Sequence, residues 1–310
     1  MKLTLPEHGE LIRNALLAGE SYRHIAERLG CSKDTVSIFA KVNFPDLRRK
    51  PHVKAVLDPA DERPMKILII DIETRPNLGY VWSLWEQTVG LNELVESVEM
   101  ISWAAKWLDD EIIRFKSVHH HGKEEMVKTA WNLLDKADVV MHYNGRNFDV
   151  PHLNREFLEL GLDPPSPFKQ IDLLNTVKRQ FRFPSNKLQY VSEALLGEGK
   201  VEHEGFSLWV KCMAGDEDAW ERMHEYNIVD VLLVEKLYYR VLPWIERHPS
   251  YGALTSADVC PNCGSEDLQS HGHTYTRTGK YQQYRCGGCG KYSRGVKRVD
   301  NTAITEVAAA

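Results

Sequence analysis

Long apolar runs are missing from this chain. The longest, such as residues 67–70, are far too short to cross a bilayer, and the first residues are polar, without the apolar core of a secretion leader. The expectation is a cytoplasmic protein with no membrane contact. Cysteine is scarce: six among 310 residues, four of them as two Cys-x-x-Cys pairs near the C-terminal end, while Cys31 and Cys212 stand alone in helix-like sequence. That usage argues against a disulfide framework and fits zinc in a reducing compartment. A surplus of positive charge is also lacking, since the formal net charge is −5. The charge is unevenly spread. Residues 1–60 hold 10 Lys and Arg against 7 Asp and Glu, residues 250–310 hold 7 against 5, and the middle carries a net −10. Mildly basic ends suit phosphate contact, and an acidic centre can gather the divalent cations that restore attraction to a polyanion. Ordinary charge scatter would give surpluses of the same small size.

With 43% hydrophobic residues, the chain has enough for one substantial core plus small appendages. Three segments follow. Over residues 7–44 the apolar positions (Leu11, Ile12, Ala15, Leu16; Ile25, Ala26, Leu29; Val36, Phe39, Ala40) recur at helical spacing, with breaks at Gly19 and Gly30 and N-caps at Ser21 and Ser32. Three short helices are expected. Residues 46–64 carry Arg48-Arg49-Lys50 and three prolines, and read as a linker. The large segment opens with the apolar run of residues 65–70, typical of a central strand buried on both faces. Strands at 101–107 and 112–118 then flank the turn Asp109-Asp110, followed by a helix (123–136), a strand (139–143), a helix (150–160), a strand near 170–172, and mostly helix to 245. This order predicts a mixed sheet with helices on both faces.

Carboxylates mark three places in that segment. Asp71 and Glu73 are two apart on one strand, so both point to the same side of the sheet. Buried like charges are costly unless a cation neutralises them, and hard oxygen ligands suit Mg²⁺ or Mn²⁺. Asp149 follows the strand 139–143 and the loop Asn144-Gly145-Arg146-Asn147-Phe148, on the sheet edge where ligands collect. Tyr226 and Asp230 stand four apart and share one helical face.

In order and spacing, these elements resemble the proofreading exonuclease domain of family B DNA polymerases and its stand-alone DEDD relatives. The motifs are Asp71-Ile72-Glu73-Thr74, Asn144-Gly145-x-x-Phe148-Asp149-x-Pro151-x-Leu153 and Tyr226-x-x-x-Asp230, with residues 187–197 matching the stretch that joins the last two. The resemblance covers about residues 65–245 and implies an RNase-H-like fold in a domain of residues 65–248. It also implies a 3′–5′ exonuclease in which Asp71, Glu73, Asp149 and Asp230 hold two Mg²⁺ or Mn²⁺ ions. Tyr226 would orient the attacking water, and Asn144 and Phe148 would hold the terminal nucleotide. Glu225 stands where the histidine subgroup places its base, so the chain falls in the tyrosine subgroup; His224 reads as structural. An exoribonuclease, or a silent scaffold in a DNA-binding regulator, are the alternatives, with DNA favoured over RNA as partner. Asp172 and His119, His120 and His121 read as solvated loop residues.

The flanks carry resemblances of their own. Tyr22, Ile25, Ala26, Leu29, Gly30, Ser32, Thr35 and Val36 resemble the helix-turn-helix of transposases and sigma-factor-like regulators. In a domain of residues 1–46, this would present Lys33, Asp34, Ser37 and Lys41 to a major groove; a bundle for dimerisation or docking is the alternative. Cys260, Cys263, Cys286 and Cys289 have the spacing of a closed structural zinc site. Strands at 269–276 and 280–285 lie between the pairs. The string around Cys286 resembles zinc ribbons fused to insertion-sequence transposition proteins, as expected of a phage or mobile element. Arg277, Lys280, Arg285, Arg294, Lys297 and Arg298 suit nucleic-acid contact, or else this domain (255–298) docks a protein. Residues 299–310 read as a disordered tail, and His271 and His273 are set aside because four cysteines complete a tetrahedron.

Overall fold

A computed structural model describes residues 4–17, 22–44, 64–86, 88–200, 204–255 and 257–301. The expected linker, the cap at Ser21 and the break at Gly19 lie outside the described residues. The chain divides into two compact units, Met1–Glu62 and Arg63–Ala310.

In the first unit, α1 (Leu5–Leu17), α2 (Tyr22–Leu29) and α3 (Lys33–Asn43) bury Ile12, Ala15, Ile25, Ala26 and Val36 against one another. Helix α2 stops because Gly30 takes φ +62°, where a Cβ would be strained. There the amide of Gly30 donates to the Glu27 carbonyl and that of Cys31 to Ala26, a pair of bonds that satisfies two end carbonyls of the helix. Ser32 then caps α3, its hydroxyl accepting from the Thr35 amide at 3.1 Å. On α3, Lys33, Asp34 and Lys41 are exposed and Ser37 half-buried, with Ile38 and Val42 exposed beside them.

The second unit begins with β1 (Ile67–Thr74), β2 (Leu78–Gly79), β3 (Leu94–Glu96), β4 (Met100–Trp107) and β5 (Arg114–Ser117). Helices α4 (Val118–His121) and α5 (Lys123–Asp135), β6 (Val139–His142), α6 (Asp149–Glu159) and β7 (Lys169–Asp172) follow, then α7 (Leu173–Gln180), α8 (Leu188–Leu196), α9 (Phe206–Met213), α10 (Glu217–Val241) and α11 (Tyr251–Thr255). Five strands form a mixed sheet in the order β5-β4-β1-β6-β7. β4 pairs antiparallel with β1 and β5, and β6 pairs parallel with β1 and β7. The fold is therefore mixed α/β, as the sequence implies.

Alternation along β1 assigns the two faces. Ile67 and Ile69 pack with α7, α8 and α10, while Leu68, Ile70 and Ile72 pack with α5 and α6. Asp71 and Glu73 continue the first series, so the apolar stripe under α10 turns acidic where β1 runs out.

Several boundaries differ from expectation. β5 starts at Arg114 rather than 112, because the Asp110 carboxylate takes the Ile112 amide at 3.1 Å and holds that residue in the turn. Likewise Ser117 caps α4 by accepting from the His120 amide, so the three histidines are helical rather than loop. The C-terminal strands β8 (Leu268–Thr276) and β9 (Gly279–Cys286) gain a third, β10 (Tyr292–Asn301), in the order β10-β9-β8. Residues 299–301 are thus strand rather than tail, and 302–310 lie outside the described residues. This small sheet joins the larger body at the end of α10: the Asn262 amide donates to the carbonyls of Leu242 (3.1 Å) and Ile245 (3.4 Å), and the Lys291 ammonium to that of Ile245 (2.9 Å). Among the described residues no helix is long and apolar enough to cross a membrane.

Trp103 shows what holds the sheet to its helices. Its side chain is fully buried and its indole N–H donates to the Met126 carbonyl of α5 at 2.9 Å. Trp103→Ala is expected to cost about 3–5 kcal/mol, the range for emptying a large aromatic site. Urea unfolding followed by circular dichroism measures this, and a loss under about 1 kcal/mol would contradict the packing described.

Candidate active site

Asp71, Glu73 and Asp230 meet where β1 passes beneath α10, with one carboxylate oxygen from each lying within 4.8 Å of the others. The first two arrive there by strand parity, the third because α10 faces β1 through Val231 and Val234. Tyr226, one turn earlier on α10, is buried beside them.

Each carboxylate is held by neighbours. Asn227 donates from Nδ2 to Asp71 Oδ2 at 3.1 Å, and its own Oδ1 accepts from the fully buried Ser102 hydroxyl at 2.7 Å. The Trp209 indole lies close enough to Glu73 to lower its pKa slightly against the larger raising effects. The Lys200 ammonium donates to Asp230 and, at 2.8 Å, to the Tyr226 oxygen.

Asp149 is the first residue of α6 and lies outside the closest trio. β6 pairs with β1 only as far as Ile69, so further along that edge a buried backbone donor needs another acceptor. Asp149 Oδ1 is that acceptor, 3.0 Å from the Ile72 amide. The turn that delivers it is tightly built. Asn144 adopts φ +73° and gives its amide to Asp172 Oδ1 at 3.0 Å. The Gly145 amide donates to His142 Nδ1 at 3.0 Å. A Cβ on Gly145 would stand 2.5 Å from the His142 ring and 2.9 Å from Asp149 Oδ2, so only glycine fits.

Burial and mutual repulsion govern the ionisation here. Asp71 is pushed well above the ordinary carboxylate range by burial and then by Asp230, Asp149 and Glu73. Glu73 rises to about 8, from burial and then Asp230. Asp149 rises to about 7, chiefly from burial, against the lowering bond from Ile72. Burial, then Asp230, raises the Tyr226 phenol above its ordinary value, and Lys200 is raised in turn by Asp230 despite its own burial. Converging carboxylates whose charges are so disfavoured are a donor set for hard divalent cations such as Mg²⁺ or Mn²⁺.

A groove of ≈ 570 Å³ opens onto this centre, lined by Asp71, Tyr226 and Asp230 on one side and by Asn144, Lys178, Lys187 and Lys200 among others. Asn144, expected to hold the terminal nucleotide, lines this groove. Phe148 is not among the groove's lining residues: it is half-exposed at the head of α6, edge-on to His152 with ring centroids 4.7 Å apart. Asp172 is not solvated but buried, capping α7 through the Leu174 amide at 3.1 Å. His224 packs edge-on against Phe115, 4.5 Å between centroids. The three lysines, Asn227, Ser102 and Trp209 escape sequence reasoning, since neutral residues and scattered lysines carry no spacing signal.

A second donor set lies in the small sheet. The sulfurs of Cys260 and Cys289 are 3.7 Å apart and those of Cys263 and Cys286 3.6 Å apart, and all four lie within 4.8 Å of one another. A tetrahedral zinc with Zn–S of 2.3 Å separates its sulfurs by about 3.8 Å. The site can hold zinc.

The RNase H superfamily model matches residues 87–242, beginning after Asp71 and Glu73 and including Asp149, Tyr226 and Asp230. The chain is 24% identical over 229 residues to a DNA polymerase of Thermococcus litoralis, covering 65% of this chain and 13% of the relative. It is 24% identical over 234 residues to a DNA polymerase of Pyrococcus glycovorans, covering 67% and 29%. Among solved structures, the family B DNA polymerase from Pyrobaculum calidifontis aligns at a TM-score of 0.46 and 16% identity, covering 71% of this chain and 32% of that one. The chain spans less than a third of the length of these relatives.

Carboxyls whose folded-state pKa is raised stabilise the fold below their ordinary values, and that contribution is lost as pH rises through the raised ones. With values of about 7 for Asp149 and about 8 for Glu73, the metal-free protein should melt at progressively lower temperature between about pH 5 and about pH 8. Mn²⁺ should remove most of that decline. A melting temperature in chelator that stays flat across the window would mean that these carboxylates do not share a buried site.

Proposed function

The chain belongs to the RNase H superfamily, and from that premise we propose that it is a magnesium- or manganese-dependent 3′–5′ exonuclease acting on DNA. The observation that carries this reading is the convergence of Asp71, Glu73 and Asp230 within ligating distance of one another, with Asp149 fixed beside them by the β1 backbone. DNA as substrate is supported by the similarity to DNA polymerases.

In this reading, the four carboxylates would hold two Mg²⁺ or Mn²⁺ ions, which would supply an activated water and charge stabilisation for the leaving 3′ oxygen. Everything else belongs to the chain. Asn227 keeps an Asp71 oxygen aimed at the centre. Tyr226, its phenol raised by burial, stays protonated at neutral pH and orients the water through a hydrogen bond instead of acting as a base. Lys178 and Lys187 line the groove, where ammonium groups suit a phosphate backbone. Asn144, at the groove's rim, meets the terminal nucleotide; Phe148 would reach it only from outside the groove.

The flanking units are proposed as anchors. Residues 1–46 act as a helix-turn-helix that lays α3 on duplex DNA through Lys33, Ser37 and Lys41, and residues 255–298 act as a zinc-stabilised ribbon that contacts nucleic acid or a protein. Residues 47–64 connect the first anchor to the nuclease domain of residues 65–248.

End-labelled single strands test the chemistry. With Mn²⁺ the protein should shorten DNA stepwise from the 3′ end, and Asp71→Ala and Asp230→Ala should each lower the rate by at least about 10³-fold, the scale of several kcal/mol of lost charge stabilisation, with circular dichroism unchanged. Shortening of RNA alone would make it an exoribonuclease. Binding without cleavage would leave a scaffold.

Deleting residues 1–46 tests the division of labour. Duplex affinity should fall and its dependence on salt become shallower, because phosphate contacts release counterions. Hydrolysis of short single strands should hold within about twofold. Equal duplex affinity in the two proteins would assign the first unit to dimerisation or docking.

A further inference from the structure

A third donor cluster lies at the far end of α10 from Asp230. Its members are Glu217, the first residue of that helix, and His119 and His120 of α4. Thirteen residues of helix separate Glu217 from Asp230, about 20 Å at 1.5 Å per residue, so the cluster is no part of the carboxylate centre. We propose that His119, His120 and Glu217 bind a borderline divalent cation, Zn²⁺ above all, which ties the first turn of α10 to the β5 edge of the sheet.

The spacing fits such an ion. His119 Nε2 is 2.8 Å from one Glu217 oxygen and His120 Nε2 is 3.7 Å from the other, and the three donor atoms lie within 4.8 Å of one another. Ligands on a tetrahedral zinc at 2.0–2.1 Å are about 3.3 Å apart, between the two observed values. Two imidazoles and one carboxylate suit Zn²⁺ over Mg²⁺, which takes oxygen ligands and resists losing water. All three residues are exposed, Glu217 most of all with 70% of its side chain accessible, so water can complete the shell.

Buried partners set both rings in advance. His120 Nδ1 lies 2.8 Å from the hydroxyl of Ser117, a residue with no exposed surface. When Nδ1 carries the proton and donates it there, the Nε2 lone pair is left facing Glu217, the outer-shell arrangement typical of metal-bound histidine. His119 lies flat on the buried Trp220, with centroids 5.2 Å apart and an 11° interplanar angle. Its ring stands nearly perpendicular to that of His120, at 88°. Neither ring is an unconstrained surface side chain, so little rotamer freedom remains to be lost on binding. His121 is turned elsewhere, its Nδ1 accepting from the Ser117 amide at 3.3 Å. Asp216 and Asp218 flank Glu217 and add negative potential around the site.

The experiment uses the full chain, stripped of loosely held metal and kept in excess Mg²⁺ so that the carboxylate centre is occupied. Zinc per chain is counted by elemental analysis and by calorimetric titration. The expected result is two equivalents, one at the cysteines and one more. Cys263→Ser should lose the first and keep the second. The double variant His119→Ala/His120→Ala should lose the second and keep the first, and Glu217→Gln should raise its Kd at least tenfold. Zinc should also raise the melting temperature of the wild type and not of the double variant. The proposal is overturned by a wild type that takes no second equivalent, or by a second equivalent that survives in Glu217→Gln with unchanged Kd, a variant mild enough to keep its fold.

Discussion

The second unit is organised around one unfavourable interaction: like charges crowded together, two half-buried and one buried, on the face of β1 that α10 covers. The same alternation that puts Ile67 and Ile69 into the core under α10 commits Asp71 and Glu73 to that face. Asp230 meets them from above. Water screens charges crowded this way only poorly, so the surroundings are recruited to manage them. Asn227 and Ser102 form a relay of neutral dipoles to Asp71, Trp209 supports Glu73, and Lys200 brings a positive charge to Asp230. Together they offset part of the repulsion that would otherwise drive the carboxylates apart.

Features carried by local spacing were legible in the sequence. The apolar run into Asp71-Ile72-Glu73, the i, i+4 pair Tyr226 and Asp230, the turn at Gly30 with its cap at Ser32, and the two Cys-x-x-Cys pairs each encode their geometry within a few residues. Features that depend on distant chain segments were not. Lys200 reaches Asp230 across thirty positions, and Ser102 reaches Asn227 across more than a hundred. Asp172 reads as a polar residue after a short strand, yet the neighbouring turn folds over it and gives it the Asn144 amide. The histidines after β5 look like a polar loop until Ser117 caps them into a turn of helix. β10 is missed for another reason: its glycine and charged residues mask alternation, and its register on β9 is broken twice.

The end of α10 illustrates how one helix serves several parts of the molecule. Its first turn meets α4 through Glu217 and its middle carries Asp230. The carbonyls just beyond its last turn accept from Asn262 and Lys291 of the cysteine-bearing segment. Side chains of the cysteine-bearing segment thus fasten the chain immediately after the helix. The orientation of α10 over β1, on which the carboxylate cluster depends, is therefore set at both ends as well as along its apolar stripe.

Asp149 and Glu73 look interchangeable as acidic residues near the same centre, but the backbone distinguishes them. The Asp149 carboxylate finishes the hydrogen bonding of β1 beyond the last rung that β6 provides, and removing it strands a buried amide at a cost of about 1–3 kcal/mol. Glu73 has no such duty in the ladder. In a lineage where hydrolysis ceased to matter, drift would erase Glu73 freely while Asp149 continued to be retained for folding alone. A descendant that keeps Asp149 and has lost Glu73 would thus be a fossil of the catalyst rather than a working one.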